Sequence, residues 1–223
     1  MDAVAVLADP TRRALHAHVR AAREPVTREQ AAAAVGISRK LAAFHLDKLV
    51  AAGLLVAEPH RGPGRTVGRA PTVYRPSPVV LQVAVPHRDY RLLSSMLMEA
   101  IVSETSKEPA DLAMVRVAGE RGSALGREFR SRVRAGRLGA ERTMTLLDAA
   151  LRRTGYEPYR TPDGCLRLGN CPFHELAREP TQTVCALNHA YLTGVVEGMR
   201  STAVDAVLAP RAGDCCVEFR ARG

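Results

Sequence analysis

The chain has 223 residues, 46% of them hydrophobic, enough to fill one large or two small domains. No stretch of about 18 apolar residues occurs, which excludes a membrane-spanning helix. The opening MDAVAVLADPTRR has Asp2 and no long apolar run, so a secretory leader is not expected and a cytoplasmic location is. The formal net charge of +9 is uneven: residues 1–80 hold 12 Lys/Arg against 6 Asp/Glu, the remaining residues 20 against 17. A surplus gathered at one end points to a polyanionic partner for that end.

The first helix is expected from Ala3 to Arg23, with Leu7, Leu15 and Val19 near helical spacing and a break at Asp9-Pro10, where an N-cap precedes a proline. Thr27 with Gln30 forms a capping-box pattern and opens a helix running to Val35. Gly36 suits a sharp turn. A second helix, Ser38 to Ala52, stops at Gly53; Ala42, Leu46 and Leu49 repeat at i, i+4 and i+7 and are assigned to its core face.

That assignment leaves Arg39, Lys40, Ala43 and Phe44 facing outward near the helix start, with Ser38, His45 and Lys48 completing the surface. Residues so placed after a helix-turn-helix turn meet base edges in a major groove. Arg39 and Lys40 can donate to guanine or phosphate oxygens, and Phe44 can meet a thymine methyl. His45 has two readings, a phosphate contact or a ring packed at the helix flank. Leu54–Val56 and Thr72–Tyr74 read as two strands of a wing. Between them Arg61, Arg65 and Arg69 are spaced among Gly62, Gly64 and Gly68, offering charge for the DNA backbone or minor groove.

Residues 77–90 read as a linker. Helices follow over about Arg88–Lys107 and Pro109–Arg134, suited to packing against a twin subunit or to simple core packing. From residue 139 the texture changes: helix Ala140–Arg153, strand Tyr156–Tyr159, turn Thr161–Gly164, strand Cys165–Leu168, helix Thr181–Val204 and strand Cys216–Arg220. The expected fold is α+β: a winged helix-turn-helix (1–80), a helical linker or dimerisation region (81–138), and a small domain with an antiparallel sheet (139–223).

All five cysteines lie after position 164. In a reducing compartment such clustering reads as metal ligands or redox thiols rather than disulfides. Cys165, Cys171, Cys185 and Cys215 are the candidate ligands of an iron–sulfur cluster or, alternatively, zinc. Alternation along the last strand favours Cys215 over Cys216, while Cys216 or His174 could replace one of the four. Cys171 with His174 could instead be a nucleophile and base, but no oxyanion motif or third orienting residue accompanies them, and no enzyme is expected.

LADPTRRALHAHV, AAAVGISRKLAAFHLDKLVAAGLL and GRAPTVYR make residues 6–76 resemble the winged-helix domain of ArsR-type bacterial regulators. Asn170-Cys171-Pro172-Phe173, Cys185 after 13 intervening residues, GVVEGM at Gly194 and the Cys215 strand resemble the sensor half of the iron–sulfur-responsive SufR-type repressors. The gap from Cys165 to Cys171 is shorter than in that family. The C-terminal part is also similar to the V4R-type small-molecule-binding domain. The resemblances imply a homodimeric repressor that binds a double-stranded DNA operator and responds to a cluster, a metal or an organic effector.

Overall fold

A computed structural model describes residues 2–60, 70–103, 108–133, 136–177 and 181–222. The chain forms two compact units, residues 1–82 and 83–223. The helices after residue 83 share one core with the C-terminal sheet.

In the first unit, α1 (Asp2–Val6) and α2 (Pro10–Ala21) are separated at Asp9, whose carboxylate accepts from the Arg12 N–H at 2.9 Å. The break expected at Asp9-Pro10 is where the two helices divide. A two-residue strand, β1 (Val26–Thr27), leads into α3 (Arg28–Val35). The capping box forms in both directions: Thr27 Oγ1 accepts from Gln30 N, and Gln30 Oε1 from Thr27 N. Gly36 ends α3 in the left-handed conformation at φ +71°, which a side chain would strain. Ser38 Oγ then accepts from Leu41 N to start α4 (Arg39–Ala51).

Ala42, Leu46 and Leu49 are fully buried as their spacing predicts, packed with Leu15, Val19 and Ala31. β2 (Leu55–Pro59) and β3 (Thr72–Pro76) form the wing in an antiparallel sheet of order β1-β3-β2. The buried Tyr74 hydroxyl accepts from Arg28 Nε at 2.7 Å and lies 3.4 Å from an Asp47 carboxylate oxygen, tying α3, β3 and α4 together.

In the second unit, α5 (Tyr90–Ser103), α6 (Ala110–Ser131), α7 (Ala140–Arg153) and α8 (Thr181–Gly198) pack with an antiparallel sheet of order β4-β5-β7-β6. Its strands are β4 (Pro158–Arg160), β5 (Leu166–Leu168), β6 (Val204–Leu208) and β7 (Val217–Ala221). Leu147, Leu151, Leu168, Phe173, Leu192 and Phe219 sit at the centre of the core. β6 lies where a helix is expected to run on to Val204. Instead the chain turns after Gly198, with Arg200 at φ +55°, and Ser201–Ala203 lead into the strand.

α6 and α8 meet backbone to backbone. A Cβ on Gly122 would lie 1.8 Å from the Tyr191 carbonyl oxygen, and one on Gly126 2.2 Å from that of Val195. From the other side, a Cβ on Gly194 would lie 2.1 Å from the Gly119 oxygen, and one on Gly198 2.1 Å from that of Ser123. Only glycine at these four positions permits this approach.

Candidate functional site

Two surfaces gather the residues singled out by sequence. The first is the outer face of α4. Ser38, Arg39, Lys40, Phe44 and Lys48 are exposed and Ala43 is half-buried. The Ser38 oxygen is used as the helix cap, but its O–H can still donate. Arg39 Nε pairs with Glu29 at 2.7 Å, an exposed ion pair between α3 and α4. Phe44 is 54% exposed, with the Lys48 ammonium 5.7 Å from its ring centroid. Large exposed aromatics are uncommon on a monomer surface. Two cations flank this one, one before and one after it in sequence.

His45 departs from the expected DNA-facing set. It is 8% exposed, sits on the core side of α4, and meets Phe44 edge to face at 5.3 Å between ring centroids. Three helical positions after Ala42 bring it to the buried stripe, which favours the packed reading. Arg61, Arg65 and Arg69 lie outside the described residues.

The second site is a cavity of about 400 Å³ in the second unit. Its walls carry Cys171 from the loop after β5, Cys185 from the first turns of α8, and Cys215 and Cys216 from the turn before β7. His174, Gln182, Arg211 and Asp214 supply polar groups. Cys165 is not part of it. It lies in the β4–β5 turn, its sulfur 3.4 Å from an Asp163 carboxylate oxygen, at the opposite end of β5 from Cys171. A strand advances about 3.3 Å per residue, so β5 carries the two sulfurs apart. The expected quartet is therefore corrected at one position: the structure gathers Cys216, not Cys165, with Cys171, Cys185 and Cys215. Alternation could not choose between Cys215 and Cys216 because both precede the pleated part of β7.

Cys171, Cys185, Cys215 and Cys216 line the same cavity and shift one another's proton affinities. The bond from Cys215 brings Cys216 down to about 6, against burial and with help from Cys185 and Asn188. The same neighbour lowers Cys171. Cys215 rises in return through its bonds to Cys171 and Cys216, and burial first, then Cys216, pushes Cys185 up to about 12. Thiolate character at neutral pH thus falls first on Cys216. Substoichiometric iodoacetamide at pH 7 is expected to label Cys216 of the metal-free protein well before Cys185, with labelling rising as the pH passes about 6. Equal labelling of the two, by peptide mass mapping, would contradict this proton distribution.

Sequence reasoning missed Asn188. It is fully buried on α8, one turn after Cys185, and its Nδ2 donates to Cys215 Sγ at 3.2 Å and more weakly to Cys216 Sγ at 3.9 Å. The Tyr156 hydroxyl donates to Asn188 Oδ1 at 2.5 Å. Burial raises Tyr156 well above the usual phenol range, so it remains a donor. The available signal was a lone amide in an otherwise apolar stretch of helix, three residues after a cysteine.

As a donor set, four thiols on separate elements suit thiophilic metals. Among the described residues no group of three or more His, Cys, Asp or Glu side chains stands ready-arranged around a metal position. Among the described residues no helix is long and apolar enough to cross a membrane.

Residues 7–57 match a family model described as a helix-turn-helix domain. The match spans α2, α3, α4 and the start of β2, and identifies this segment as a helix-turn-helix DNA-binding domain, the hallmark of a transcriptional regulator. No curated protein matches the chain. No solved structure does either.

Proposed function

We propose that this helix-turn-helix chain is a homodimeric transcriptional repressor whose DNA affinity is set by an iron–sulfur cluster, or a zinc ion, held by Cys171, Cys185, Cys215 and Cys216. The observation that carries the reading is the convergence of four cysteines from three separate parts of the chain on one cavity. Thiolates are the ligands both groups use, and the Cys216 thiol is already brought down to about 6.

When bound, the cluster or ion supplies a crosslink among the loop, α8 and the β7 turn that is made or lost with metal supply or oxidation state. The chain's own groups prepare for it. Asn188 offers an N–H to the Cys215 sulfur, and Tyr156 fixes the amide's orientation. Such outer hydrogen bonds set the orientation and basicity of ligands. On the DNA side, α4 enters the major groove with Arg39 and Lys40 reaching bases or phosphates, Phe44 at a thymine methyl, and Lys48 along the backbone.

Two copies are needed to read two half-sites about 34–36 Å apart. Support for a dimer comes from α5 and the start of α6, where Leu97, Met98, Ile101, Val102, Leu112 and Val115 are all exposed apolar side chains. The cavity volume favours a second reading, an organic effector, because about 400 Å³ lies within the range of small-molecule sites.

Anaerobic purification with iron, sulfide and zinc analysis separates these readings. Serine at Cys171, Cys185, Cys215 or Cys216 is expected to remove or sharply reduce the bound metal, whereas Cys165→Ser keeps it. Absence of metal in the anaerobic protein, or its loss on Cys165→Ser alone, would overturn the assignment.

A further inference from the structure

The chain enters the second unit through residues 83–89, and those residues are fastened to the loop that carries Cys171. Asn170 Nδ2 donates to the His87 carbonyl at 3.1 Å and to the Gly155 carbonyl at 2.7 Å. Arg88 Nη1 donates to Asn170 Oδ1 at 2.6 Å. The Asp89 N–H donates to the Pro172 carbonyl at 3.1 Å, and the Asp89 carboxylate accepts from Leu92 N at 2.8 Å to cap the start of α5. The His87 ring lies so close to Gly155 that a Cβ there would be 1.8 Å from it. Asn170 and Pro172 are buried, and Cys171 stands between them with its sulfur in the cavity.

We infer that the Asn170–Pro172 clamp is the output of the thiol cavity: it converts a change at the Cys171 sulfur into a displacement of residues 87–89, the chain's path toward the helix-turn-helix unit. This rests on the reading of the cavity as a metal- or cluster-binding sensor. A pull on the Cys171 sulfur beyond what rotation of its side chain absorbs moves the peptide groups on both sides of it. The Asn170 side chain holds the His87 carbonyl and the Pro172 carbonyl holds the Asp89 N–H, and rupture would leave the buried Asn170 amide short of a partner. The cheaper response is for loop and entry segment to move together. Residues 77–82 then join that segment directly to β3. Coupling of this kind is reciprocal, so DNA binding alters the affinity of the cavity for its ligand by the same factor.

The test uses the full-length protein with Zn(II) as the probe, and a DNA fragment selected by the unmodified protein from a random library. The ratio of DNA affinities with and without Zn(II) is expected to fall within roughly 5–150-fold, the usual range for coupled sites. Asn170→Ala and, separately, Arg88→Ala are expected to bind the same amount of Zn(II) while this ratio collapses toward one. Arg88→Ala leaves the Asn170–Gly155 bond in place, so it guards against simple unfolding of the loop. Hydrogen–deuterium exchange gives a second readout. Zn(II) is expected to change exchange of the amides of residues 83–93 in the unmodified protein and not in Asn170→Ala. An unchanged ratio and exchange response in both variants would overturn the clamp while leaving the sensor reading intact. Loss of Zn(II) from both would overturn it too, by making the segment part of the binding site. A ratio of one in the unmodified protein would overturn the sensor reading and the clamp together.

Discussion

Replacing Arg39 and Lys40 together with alanine is expected to lower DNA affinity by about 30-fold to 20,000-fold. The range follows from about 1–3 kcal/mol for each side chain that pairs well with a base. The fold should survive. Among the described residues Arg39 pairs with Glu29, both side chains are more than half exposed, and exposed pairs contribute less than about 1 kcal/mol. Alanine also favours helix at both positions. Fluorescence anisotropy with the selected duplex measures the loss, and circular dichroism checks the fold. The single Lys40→Ala change adds a diagnostic. If Lys40 neutralises a phosphate, the slope of log affinity against log salt falls by about one and the weakening is the same on every sequence. Unchanged affinity in the double variant would mean that α4 is not the element that reads DNA.

Gly122→Ala or Gly194→Ala is expected to destabilise the second unit by about 3 kcal/mol or more. In an exposed helix the same change would stabilise by about 1 kcal/mol. Here the added carbon meets a backbone carbonyl at 1.8 or 2.1 Å, and a carbonyl in a packed helix cannot rotate away as a side chain can. Overpacking commonly costs about 1–3 kcal/mol, and separating two helices along a seam belongs at the top of that range or beyond. Gly119→Ala is the control: its nearest neighbour, the Ala190 oxygen, would be 3.8 Å away, so thermal stability should be nearly unchanged. Calorimetry is the appropriate measurement because the chain has two units. In Gly122→Ala the transition of the second unit should fall while that of the helix-turn-helix unit holds. An unaltered melting profile would show that α6 and α8 do not pack as closely as described.

The first unit was readable from sequence because its signals are local and agree with one another. Thr27, Gln30, Gly36 and Ser38 each mark a helix end, and Ala42, Leu46 and Leu49 mark a buried stripe over the same span. His45 was harder to place because it borders that stripe, where spacing alone does not tell a flank from a face. In the second unit the informative contacts are distant in sequence. β6 follows an apolar helix with only Gly198-Met199-Arg200 to mark the change, so apolar spacing carries the expected helix past its end. Cys165 shared a residue type with the cavity but not a location, and only the direction of β5 reveals that. The glycines of α6 and α8 gave no periodic apolar signal, since their role is to be absent where two backbones touch.

The Tyr156–Asn188 pair has a consequence for what the cavity will accept. With the phenol proton committed to the amide oxygen, the nitrogen side is turned toward Cys215 and Cys216 and can only give a proton, never receive one. That corner therefore discriminates by polarity. Electron-rich atoms, such as a thiolate, a bridging sulfide or an anionic oxygen, are welcomed there. A fully protonated, electron-poor occupant gains nothing from that donor, which already serves the Cys215 sulfur. An occupant that suits the pocket should thus bring negative charge, or draw it out of the sulfurs already present.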